Sequence, residues 1–201
     1  MPVHDRGINQ AYTGGAHLRS PGASSASACS VFSVVSSSNR TRGAAFSMNP
    51  QQRINSLGIE LPSGSAPAGN YAIAVQSGNL LFLSGKAPLP INGKSPKGRL
   101  GREYSTEQGY ELARSACTDL IAAMKKALGS LDRIVRVVEL HGSINCTLDF
   151  EEHAKVLDGA SDLLVAVFGS SGVHARSVIG VSSLRNGVPL TVKATVEVKN
   201  E

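Results

Sequence analysis

A chain of 201 residues suits one domain with an appendage, and 41% apolar residues suffice for a core although aromatics reach only 4% and tryptophan is absent. No run approaches the roughly 18 apolar residues of a membrane span, and three cysteines (Cys29, Cys117, Cys146) without a CxxC spacing argue against a disulfide framework and for a reducing compartment. The net charge of +5 is uneven: residues 1–47 hold Arg6, Arg19, Arg40 and Arg42 against Asp5 alone, so the remainder is nearly neutral and offers no clustered cationic face for nucleic acid.

Residues 1–47 carry ten serines and no lysine, with no sustained apolar periodicity. Such a segment cannot bury enough surface to fold alone. Its Arg- and Ser-rich, acid-poor composition is that of an organellar targeting peptide, mitochondrial before plastid. The alternative is a disordered tail, or an upstream extension with Met48 as the true start, on a cytoplasmic protein. The folded domain is expected over residues 48–201.

A short amphipathic helix is expected from Gln51 to Leu61, with Gly58 and Pro62 ending it. Two strands, Tyr71–Gln76 and Leu80–Ser84, follow around Ser77-Gly78-Asn79 as a first hairpin. Residues 88–104 read as an exposed loop over the domain edge. Ser105 and Gln108 have the spacing of a capping box. The helix they open runs to Leu128, buries Ala113, Cys117, Leu120 and Met124, and stops at Gly129. Cys117 is therefore a core residue. A long strand follows within 131–145, with Val135, Val137, Glu139 and His141 on one face and Val138, Leu140 and Ile144 on the other. The intervening helix lets this strand run parallel to the second one. A second long helix is expected from about Asp149 to Phe168.

The last segment, 173–198, reads as a hairpin turning at Arg185-Asn186-Gly187. Its second arm alternates Val188, Leu190, Val192, Ala194, Val196 and Val198 with polar residues, which makes a half-buried strand. The order ββαβαββ gives an α+β fold, two helices packed on one face of a mixed sheet. The other face is left bare, and a large unfilled apolar face calls for a partner.

Four segments in this order, PAGNYAIAVQSGNLLFLSGKAPLP, LDRIVRVVELHGSIN, VLDGASDLLVAVFG and HARSVIGV, resemble the RidA family, also called YjgF or endoribonuclease L-PSP. The resemblance covers roughly 49–198 and is nearest to the chorismate-mutase-like branch. It implies the chorismate-mutase-like fold and a homotrimer whose sheets line a central barrel, with a ligand cleft at each subunit boundary. It further implies a small imino or keto acid as ligand, its carboxylate clamped by Arg176. The bidentate fork of a guanidinium suits that task. Tyr71 and Ser84, with Gly85, match family positions that line the cleft, and Asp158 stands about where the family often has asparagine.

Two departures bear on activity. Val178 replaces the cysteine usual two residues after the arginine. Thr191 stands at the position of the glutamate that handles the attacking water, and a hydroxyl is no base near neutral pH. Glu197 lies about 20 Å further along an extended strand and cannot replace it. Two readings follow from the resemblance. One is hydrolysis of reactive 2-enamino or 2-imino acids to 2-keto acids and ammonia; the other is a catalytically silent acid-binding trimer. Endoribonuclease activity ranks third, because no His pair or His/Lys acid–base set is evident. His141, His153 and His174 show no HxxH or HExxH spacing, and GASDLL lacks the GxSxG elbow of a serine nucleophile. No metal or cofactor is expected.

Overall fold

The structure is a computed structural model that describes residues 48–64 and 66–200. The leader 1–47, with Cys29 and its targeting assignment, lies outside the described residues. Helix α1 (Pro50–Ser56) opens on an Asn49–Gln52 capping box and buries Ile54, and it stops five residues short of Leu61. Tyr71 precedes strand β1 (Ala74–Ser77) rather than opening it, and β2 (Leu80–Leu83) pairs with β1 antiparallel. Helix α2 (Thr106–Leu128) begins where the spacing places it. The Ser105 hydroxyl accepts from the Gln108 amide at 3.3 Å, and the Gln108 side chain accepts from the Ser105 amide at 2.9 Å. Gly129 ends it with a positive φ of 74°. Strand β3 (Ile134–Asn145), helix α3 (His153–Phe168), strand β4 (Ala175–Val181) and strand β5 (Leu190–Val198) complete the order.

The five strands form one mixed sheet in the order β1-β2-β5-β3-β4, with α2 and α3 packed on one face. The last two strands do not form a hairpin: β3 lies between them, parallel to β4 and antiparallel to β5. The turn at Asn186 and Gly187, both at positive φ, reverses the chain, but a reversal does not oblige its arms to pair. Twelve-residue β3 offers a ladder on each edge, and both arms take one. The same insertion leaves β2 and β3 parallel in direction with β5 between them, each pairing antiparallel with it.

Strict alternation also fails in β3. The register shifts between Val137 and Glu139, so Val138 is an extra residue. Val137 therefore joins Leu140 and Ile144 in the core, while Val138 is exposed.

The core lies between the sheet and the helices. Leu190, Val192, Ala194, Val196 and Val198 face it, together with the α2 stripe and Val156, Leu163, Leu164 and Val167 of α3. Cys117 is fully buried, and burial pushes its thiol up to about 12. The helices touch closely at Gly159, where a Cβ would overlap the Tyr110 carbonyl oxygen. The loop over 88–104 is no mere surface covering: Leu100 is wholly buried and its amide bonds to the Asn145 carbonyl. The opposite sheet face is mixed rather than apolar. Val75, Phe82 and Ile179 are exposed there, but Glu139, His141, Ser143, Thr191, Lys193 and Thr195 occupy its middle, because the apolar set of β5 is spent on the helices.

Candidate functional site

The chain leaving β2 turns away from the sheet at Ser84 and Gly85, then touches β5 again through a two-way backbone bridge between Lys86 and Val192. The turn opens a cavity of about 310 Å³ lined in part by Tyr71, Ser84, Gly85 and Arg185. The Ser84 hydroxyl donates to the Ala72 carbonyl at 2.7 Å, which leaves its lone pairs for a ligand. The Tyr71 hydroxyl oxygen accepts from the Ala68 amide at 3.1 Å, and its own hydrogen remains to be donated. Apolar walls come from Ile73, Pro88 and Leu89. Three of the sequence-predicted residues thus converge. Thr191 adjoins them: its Cβ lies 3.9 Å from where a Cβ on Gly85 would be, although it does not line the cavity.

Arg176 is elsewhere. Four strands of the sheet run in the order β2-β5-β3-β4, so β4 lies about 14 Å from β2 at the usual spacing. Opposite Leu140 in register, Arg176 points to the helix side, where its Nη1 donates to Asp158 Oδ1 at 2.6 Å and Ser161 Oγ at 3.2 Å. Its side chain is 28% exposed and engaged by Asp158. Ser161 also meets His174 Nε2 at 3.2 Å, while His174 Nδ1 contacts the Gly172 carbonyl at 2.6 Å. Asp158, Arg176, Ser161 and His174 form one polar chain along the edge of the fold. Val178 faces the same side one position further along and packs against the core.

On the open face His141 sits between Ser177 Oγ at 2.8 Å and Ser143 Oγ at 3.4 Å. Glu197 is held by Asn79 at 3.2 Å and Arg136 at 3.4 Å, at the far end of β5 from Thr191. Among the described residues no group of three His, Cys, Asp or Glu side chains has the arrangement of a metal site.

A family model described as "YjgF/chorismate_mutase-like, putative endoribonuclease" matches residues 51–192. The chain belongs to the YjgF/RidA family. Protein TCP17 of Trypanosoma cruzi is 41% identical over 145 residues, covering 72% of this chain and 91% of that protein. A Shewanella oneidensis MR-1 crystal structure described as that of "a putative endoribonuclease" is 36% identical with a TM-score of 0.72, covering 75% of this chain and all of the other. Atu1372 of Agrobacterium tumefaciens, whose function is described as unknown, is 34% identical with a TM-score of 0.69, covering 75% and 92%. The YjgF fold is therefore shared along nearly the whole described domain.

Three residues of this cavity escaped sequence reasoning. Lys86 and Asp119 form an ion pair at 3.2 Å, with side chains only 6% and 7% exposed, in the cavity wall. A signal existed: Asp119 falls on the apolar stripe of α2 between Ala116 and Leu120, where an unpaired charge would be costly. Arg185 read only as part of a turn, and its turn places it beside Tyr71 and Ser84 in the lining. Nothing local could have announced that.

Proposed function

We propose that this YjgF/RidA protein binds small imino or keto acids and hydrolyses reactive 2-enamino or 2-imino acids to 2-keto acids and ammonia. The observation that carries the reading is the cavity in which Tyr71, Ser84 and Gly85 meet beside Thr191. Its available hydrogen-bonding groups and apolar wall suit a short carboxylic acid. In the same fold, E. coli TdcF is described with bound serine; at 19% identity that likeness is one of fold alone. Such imines already react with water, so orientation by itself supplies useful acceleration.

In this reading the protein is a homotrimer in which Arg176 of one copy completes the cavity of the next. One chain separates Arg176 from Tyr71 across the sheet, so an Arg176 at the cavity has to come from an adjoining copy. Exposed Val75, Phe82 and Ile179 give the bare sheet face something to bury in such an assembly. Arg185, already in the lining, is the competing carboxylate partner.

Imine hydrolysis with semicarbazide trapping of the unreacted imine tests the reading, alongside light scattering for three times the protomer mass. Arg176→Ala is expected to weaken binding of the acid by roughly 2–4 kcal/mol, the scale for truncating one partner of a hydrogen-bonded charge pair. The same loss in Arg185→Ala with none in Arg176→Ala moves the clamp to Arg185. Thr191→Glu is expected to raise turnover by up to roughly 10²–10⁴-fold if a base is what is missing. No hydrolysis by either form, with arginine-dependent binding intact, leaves a silent acid-binding protein and refutes the enzyme.

A further inference from the structure

At the other end of β4 from Arg176, a thiol and an imidazole meet over a second cavity that the proposed acid site does not use. Cys146 follows the last residue of β3 and is tied to β4 by its amide, which donates to the Val181 carbonyl at 3.2 Å. His153 is the first residue of α3. Its Nε2 lies 3.3 Å from Cys146 Sγ, the reach of a sulfur hydrogen bond. The Phe150 ring stands edge-on to the imidazole, with centroids 5.2 Å apart and planes at 78°, and limits how the imidazole can turn. Gly180 makes the meeting possible: a Cβ there would overlap His153 Nε2 and come within 2.9 Å of Cys146 Sγ. Cys146 and His153 both line a cavity of about 310 Å³, with Thr147, Leu148 and Ser182 on its walls. The other described cysteine, Cys117, is wholly buried and serves as an internal contrast.

We propose that Cys146, paired with His153 beside the gap left by Gly180, is a thiol that hydrogen peroxide oxidises reversibly to a sulfenic acid. The thiolate is the reactive form of cysteine, and a positioned base raises its share. His153 Nε2, with the ring hydrogen on Nδ1, takes the thiol proton. The sulfur then attacks one peroxide oxygen: the S–O bond forms as the O–O bond breaks. The departing hydroxide takes the proton back from the imidazolium and leaves as water. Sulfur loses two electrons and the peroxide gains them, so that Cys–SH and H₂O₂ become Cys–SOH and H₂O. A soluble thiol reverses the step by displacing the hydroxyl, and a second equivalent of it releases the cysteine. Cys146 keeps 9% of its surface exposed where it lines the cavity, whereas Cys117 keeps none.

The test is dimedone trapping on the full-length protein treated with hydrogen peroxide at neutral pH, with Cys29, Cys117 and Cys146 separated by peptide mass spectrometry. A free thiol is only a few per cent thiolate at pH 7, so activation has room for a gain of about tenfold. Cys146 of the native protein is expected to be trapped about tenfold faster than the same residue in the urea-unfolded chain, and Cys117 slower than in that chain. His153→Gln is expected to erase the advantage of Cys146. A native Cys146 no faster than the unfolded one overturns the proposal without recourse to any variant. So does an unchanged rate in a folded His153→Gln protein. Neither outcome touches the imine reading, because neither residue lines the acid cavity.

Discussion

Replacing Asp119 by alanine removes the carboxylate that faces Lys86 inside the domain. The two groups are 3.2 Å apart with side chains 6% and 7% exposed, so their gross attraction is about 5 kcal/mol at an effective dielectric of about 20. Desolvation of both ions offsets much of that gain. The asymmetry of deletion matters more: breaking a buried pair by removing one partner costs about 3–5 kcal/mol, whereas exchanging both for apolar residues of similar size is often neutral. Urea unfolding should therefore show a loss of about 3–5 kcal/mol for Asp119→Ala and a much smaller one for the double variant Lys86→Met/Asp119→Leu. A loss below about 1 kcal/mol in the single variant, the scale of an exposed pair, would refute the reasoning. It would mean that water from the neighbouring cavity or the other neighbours of Lys86 compensate its charge.

Gly159→Ala should force α2 and α3 apart at the Tyr110 carbonyl, which as backbone cannot swing aside; a loss of about 1–3 kcal/mol is expected, and an unchanged melting temperature would contradict the close approach. Cys117 holds its proton up to about 12 in the folded chain against an ordinary value of 9.0. Its contribution is thus intact below pH 9 and lost as pH rises toward 12, at about 1.4 kcal/mol per pH unit. Stability above pH 9 should fall more steeply in the wild type than in Cys117→Ala; equal slopes would argue against this titration. A reporter fused to residues 1–47 should enter mitochondria, and a cytosolic reporter would rule the leader out as an import signal.

Helix α2 was written plainly in the sequence because its determinants are local. Ser105 and Gln108 need only three residues of spacing to cap each other, Gly129 needs only its own positive φ, and the α2 stripe repeats with the helical turn. Strand β5 was equally legible, since alternation along one strand records which side of it is buried. The same patterning set two helices against a sheet. Its reading of the bare face was less complete, for the apolar half of β5 turned to the helices and left Lys193 and Thr195 outside.

What tertiary structure decided was adjacency. Alternation in β4 and β5 says nothing about which edge each strand takes, and the Arg185-Asn186-Gly187 turn specifies a reversal that β3 then fills. Pairing energy comes from hydrogen bonds and side-chain contacts between residues far apart in the chain, so a hairpin and a split pair look alike until the competing strand is present. That choice sets the site. It brings Arg185 to Tyr71 and Ser84, turns Arg176 toward Asp158 on α3, and leaves Thr191 on the opposite face of the sheet beside Gly85. Cys146 and His153 meet for the same reason: parallel pairing with β3 puts Gly180 opposite Ile144, and the absence of a side chain there leaves room for sulfur and imidazole to touch.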